Sequence, residues 1–163
     1  MDTSISRAIR ADPRVIFDLA AAVQDWPRIL PHYRWVRVLA SEGPDRRTVE
    51  MAARRDVLSG MVGFPLRWTA VETTFPAHGR IEFEHIGGIT RGMHVAWTID
   101  PSPGSSVVVR IRHVFEPHWP VPPGLVRLIV GEYFVNGVAR RTLRCIADLA
   151  EARARLQSLS EPA

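Results

Sequence analysis

Residues 11–35 read ADPRVIFDLAAAVQDWPRILPHYRW, and within them the chain changes its period twice. Asp12 is placed to cap a helix whose first position is Pro13, where a missing N–H costs nothing. Ile16, Leu19, Ala20 and Val23 then recur at helical spacing and form one apolar stripe. The spacing predicts a helix ending near Gln24, because Pro27 disfavours helical geometry at Trp26. Trp26 to Leu30 forms a second short turn of helix, stopped by Pro31. From Tyr33 the period falls to two, with Trp35 alternating against Val36 and Val38.

Working outward, Ile5 and Ile9 flank Arg7 at period two and predict a strand over 3–10, upstream of the helix pair. Downstream, turn residues at 42–45, 59–60, 76–79, 87–88 and 101–104 divide the chain into strand-length segments. One strand puts Val49, Met51, Ala53 and Val57 on one face and Thr48, Glu50 and Arg54 on the other. The next puts Phe64, Leu66, Trp68, Ala70 and Glu72 together. Strands over 80–86 and 93–99 follow, and the last alternates Val107, Val109, Ile111, His113 and Phe115 against Arg110 and Arg112. From Gly124 to about Leu156, apolar residues including Leu125, Leu128, Ile129, Ala139, Leu143, Ile146 and Ala150 recur at helical spacing. That stripe is about seven turns long. A seven-stranded antiparallel sheet curved around this terminal helix is the one arrangement that covers it. The expected fold is α+β, with two short helices after the first strand.

The 163 residues fit one domain over 1–160, with no repeat or linker. All 21 basic residues are arginine, which holds the pI near 10.4 and rules out Schiff-base chemistry on a lysine. Such bias fits a GC-rich bacterial genome. The arginines are scattered with no dense basic stripe, which argues against nucleic acid as a partner. The one cysteine, Cys145, excludes a disulfide framework and a multi-cysteine zinc site, and fits a reducing cytoplasm. No segment is long enough to span a bilayer, so at most transient membrane contact is expected.

The inward strand faces carry Trp68, Glu72, His85, Trp97 and His113 where a plain core would hold aliphatic residues. Aromatic rings mixed with a few titratable groups suit a cavity for an apolar, partly oxygenated small molecule. Glu72, buried beside Trp68, would have a raised pKa and act as a general base. His85 and His113 are placed to polarise a carbonyl or carry a proton. Tyr33, Trp68, Trp97 and Tyr133 would shape or stack on the ligand. Asn136 and Arg140, one helical turn apart, would meet its oxygenated end, and Arg55 shares the inward parity of Met51 and Ala53. Each residue also has a plainer reading. The histidines suit hydrogen bonding within a core, Glu72 a solvated strand end, Arg140 the surface, and Trp26 a packing pin for the helix turn. No helix-spaced histidine pair supports a metal, and no cofactor is expected.

The order of strand, short helix pair, antiparallel sheet and long terminal helix resembles the START-like (SRPBCC) superfamily. Within it the chain is similar to the polyketide cyclase/dehydrase and coenzyme Q-binding group. The residues carrying the resemblance are Ala11-Asp12-Pro13 with Ile16-Phe17-Asp18-Leu19, then Asp25 to Pro31, Trp97-Thr98, and Asn136 with Arg140. The resemblance implies a helix-grip fold and a cavity that takes a polyketide, a quinone or a lipid. Aromatase/cyclases of the group steer aldol closure and water loss on a poly-β-keto chain. Where those enzymes offer a cavity arginine, this chain has Glu72. The implied activity is that of a polyketide cyclase/dehydratase acting by substrate folding, and the alternative is a quinone or lipid carrier without chemistry. A carrier protein delivering the substrate is a further partner the resemblance allows, and the protomer would act as a monomer or homodimer. A third reading is regulatory ligand sensing through a partner protein, with Phe17, Trp35 and Trp119 as candidates for the interface.

Overall fold

The computed structural model describes residues 1–54, 66–102, 104, 106–115, 122, 124 and 137–160. Strand β1 (Asp2–Ile9) leads into helix α1 (Pro13–Ala21), a 3-10 turn (Val23–Asp25) and helix α2 (Trp26–Ile29). Six strands follow: β2 (Tyr33–Ser41), β3 (Arg46–Ala53), β4 (Leu66–Phe75), β5 (Arg80–Gly88), β6 (Met93–Pro101) and β7 (Val107–Phe115). Helix α3 (Arg140–Ser160) closes the described chain. Strands β2 to β7 form a meander, and β1 pairs with β7 at the far edge. The result is one seven-stranded antiparallel sheet of order β1-β7-β6-β5-β4-β3-β2, curved around α3.

The Asp12 carboxylate accepts from the Arg14 N–H at 2.7 Å, as a helix cap should. The helical segment does not run unbroken to Gln24. Ala22 takes a non-helical conformation (φ −81°, ψ 57°), so α1 ends at Ala21 and the 3-10 turn intervenes. Trp26, expected to leave helical geometry because Pro27 follows it, instead opens α2 at φ −54° and ψ −40°. The steric cost is offset by burial: the indole is 3% exposed, and its Nε1 donates to the Leu19 carbonyl at 3.2 Å.

Alternation along the strands fills the concave side. Val49, Met51 and Ala53 of β3, Trp68, Ala70 and Glu72 of β4, and Ile81, Phe83 and His85 of β5 are all buried. Val57 and Phe64, expected to continue these faces, lie outside the described residues. On the other side of β3, Glu50 is also buried and forms an ion pair with Arg67, whose Nε donates to it at 2.6 Å. The β4–β5 ladder slips at Thr69/Ala70, and Gly88 sits opposite Trp68 at φ +82°. A Cβ there would lie 2.5 Å from the Arg67 carbonyl oxygen, so the bulge requires glycine.

Helix α3 lays Leu143, Ile146, Ala147 and Ala150 against the sheet, preceded by one wide π turn at residues 137–139. It runs to Ser160, beyond the expected end near Leu156, and Leu156 and Leu159 are exposed. The expected stretch over 125–136 lies outside the described residues.

Candidate functional site

Between the concave face and the start of α3 lies a void of about 30 Å3. That holds one or two water molecules, and is about a tenth of the ~300 Å3 that drug-sized ligands occupy at minimum. Packing around it is tight. Trp26 projects into it from α2 and Tyr33 from β2, and the sheet contributes Met51, Trp68, Phe83, His85, Val95, Trp97, Ile111 and His113. Val138, Ala139 and Thr142 close it on the helix side.

The rings form a continuous wall. Trp26 meets Tyr33 edge-on at 4.9 Å between centroids, and lies 6.2 Å from Phe83 and 6.3 Å from Trp97. Tyr33 in turn stands edge-on to Trp68 at 6.0 Å. Edge-to-face and tilted contacts of this kind hold rings in fixed orientations. Trp68 ends the series by stacking on His85.

Both cavity histidines are neutral at ordinary pH. Burial lowers His85 to about 3, helped by the neighbouring His113 and His94, and burial lowers His113 to about 4. The Nδ1 of His85 is 2.7 Å from the hydroxyl of Thr90, which is itself fully buried. Burial also raises the Tyr33 phenol well above its usual value, against a hydrogen bond to Thr142 that lowers it.

Thr142 gathers the polar groups at the helix side. Its hydroxyl donates to the Val138 carbonyl at 2.9 Å and lies 2.8 Å from Nε2 of His32.

Glu72 is turned inward and fully buried, so the solvated strand end is ruled out; it is nevertheless absent from the lining of the void. Its carboxylate is bound by Arg47, whose Nε donates to Oε2 at 2.5 Å and whose Nη2 donates to Oε1 at 3.2 Å. Burial raises the Glu72 pKa more than the guanidinium lowers it. The expected general base is thus paired with an arginine and stands outside the lining of the void.

Of the remaining expected site residues, Tyr33, Trp68, Trp97, His85 and His113 converge on the void. Arg140 opens α3 on its exposed side and does not reach the void. Helical geometry turns it away from Ala139 and Thr142, which do face inward. Arg55, Tyr133 and Asn136, like Trp119, lie outside the described residues. Sequence reasoning passed over Trp26 as a wall residue, and also Thr142, His32 and Arg47. The Trp26-Pro27 pair was visible, but nothing local showed where its indole would point.

Residues 9–140 match the profile of the family described as polyketide cyclase / dehydrase and lipid transport. The chain belongs to this family. Solved structures share its architecture throughout. A protein from Thermus thermophilus superposes with a TM-score of 0.73 at 21% identity, covering 99% of this chain and 100% of the other. An aromatase/cyclase from a Streptomyces species gives 0.70 at 17% identity, covering 94% and 95%. A START superfamily protein from Mycobacterium smegmatis gives 0.70 at 15% identity, covering 93% and 97%. At these identities the likeness speaks for the helix-grip fold alone. A comparison with curated proteins finds no significant sequence match. Among the described residues, no helix is long and apolar enough to cross a membrane.

Proposed function

We propose that residues 1–160 form one ligand-binding domain that encloses a planar, hydrophobic, oxygenated molecule of polyketide type. In this reading the protein acts as a cyclase/dehydratase. The observation that carries the reading is the aromatic wall from Trp97 through Trp26 and Tyr33 to Trp68, facing a void that also receives two buried histidines. Flat rings present area on which fused or nascent rings stack, and a ligand of that size needs more room than the void of about 30 Å3 offers in this structure. Rate enhancement comes mainly from holding a flexible chain in one reactive conformer, which can supply several kcal/mol. His85 and His113 are too weakly basic to be efficient general bases near pH 7. As neutral imidazoles they can donate a hydrogen bond that polarises a substrate carbonyl towards aldol closure. The test is incubation with a poly-β-keto thioester analogue, followed by mass spectrometry of the products. Formation of a cyclised, dehydrated product supports the enzyme; return of unchanged analogue removes the catalytic step.

A second reading is a quinone or lipid carrier, and one observation favours it. Glu72 is committed to Arg47 and both histidines titrate far below neutrality, so the described lining holds no strong base. Native mass spectrometry of protein purified from its own host separates the two readings: an unaltered isoprenoid or lipid favours the carrier.

A further inference from the structure

Arg47 stands directly across from Glu72 in the β3–β4 ladder, on the concave face. One guanidinium reaches three elements. Besides its two bonds to Glu72, Nη1 donates to the Gln24 side-chain oxygen at 2.8 Å and Nη2 donates to the Ala21 carbonyl. Ala21 is the last residue of α1 and Gln24 lies in the 3-10 turn, so these contacts bracket the break between α1 and α2. Two residues beyond Gln24 comes Trp26, whose ring enters the void. On the sheet side Glu72 is paired with Phe83 of β5, which packs on that same indole. The planar fork of arginine suits this task, since its donors lie in one plane at fixed angles; an ammonium could hold the carboxylate but not span to both helix partners.

We infer that Arg47, anchored by Glu72, is a positioning residue that fixes how deeply Trp26 enters the void and thereby sets the size of ligand accepted. The inference rests on the ligand-binding reading above. Releasing the fork frees residues 21–26 from the sheet while leaving β5 to β7 and the histidines in place. Trp26 then withdraws, and the void grows at the expense of its fit to small rings.

The test compares wild type, Arg47→Met and Arg47→Lys in two measurements. The first is equilibrium dialysis with two probes, 1,4-naphthoquinone (two rings) and 5,12-naphthacenequinone (four rings). The second is amide hydrogen exchange across residues 19–31. Both variants are expected to shift the four-ring to two-ring affinity ratio upward by about tenfold, the equivalent of roughly 1.4 kcal/mol. Exchange over 19–31 should quicken by a similar factor with β6 and β7 unchanged. Arg47→Lys keeps the charge opposite Glu72, so it carries the test if Arg47→Met fails to fold. A purely structural Arg47 would lower the thermal midpoint with the affinity ratio unmoved, and that result overturns the inference. Wild type that binds neither quinone sinks the ligand-binding reading itself, a failure told apart by the absence of any affinity to compare.

Discussion

Trp68 and His85 lie in parallel on neighbouring strands, with ring centroids 6.0 Å apart and only 6° between their planes. Both rings line the void, and β4–β5 register brings them together through the bulge at Thr69/Ala70. The indole face shields one side of the imidazole, which contributes to the burial that keeps His85 neutral.

Trp68→Leu should therefore weaken quinone binding by roughly 2- to 10-fold, the worth of an aromatic stack of about 0.5–1.5 kcal/mol. Equilibrium dialysis with 1,4-naphthoquinone measures this. Unchanged affinity would show that the ligand does not use this wall.

Stability should fall as the solution is acidified from pH 6.5 towards 4. His85 and His113 have folded-state pKa values near 3 and 4, below the usual 6.5, so the unfolded chain binds protons that the folded chain refuses. Each such histidine steepens the loss by up to about 1.4 kcal/mol per pH unit in that window. Glu72, raised by burial, contributes with the opposite sign as pH rises through its own titration. Urea unfolding at a series of pH values reads the slope, and His113→Gln should remove about one proton from it.

Thr142→Val keeps the shape of the side chain and deletes the hydroxyl that joins His32, Tyr33 and Val138. Leaving buried donors unsatisfied typically costs about 1–3 kcal/mol. The urea midpoint should drop accordingly, with the dependence on denaturant unchanged. A neutral result would mean that water replaces the hydroxyl.

Glu72→Gln distinguishes an anchor from a base. In the anchored geometry, turnover of a poly-β-keto analogue should fall by less than about tenfold while the thermal midpoint drops. A loss of ~100-fold or more at full stability, the usual scale of general acid–base catalysis, would return Glu72 to the chemistry.

Much of this fold could be read from periodicity. Alternation along β4, β5 and β7 put Trp68, Glu72, His85 and His113 on the concave face, because a strand assigns each side chain to one side of the sheet with no further information. The Asp12-Pro13 start and the helical stripe through Leu143 and Ile146 were equally local. Partners were not local. His32 meets Thr142 across 110 positions and Arg47 meets Glu72 across 25.

The amino-acid order alone determined which elements form, in what succession, and which side chains of each strand look inward, since those follow from short-range sterics and solvent preference. Whether an inward group faces a void or an ion partner was decided only when α1, α2 and α3 docked on the sheet. Docking distances depend on how whole surfaces interlock, and that is why Trp26 lines the void while Glu72 meets Arg47.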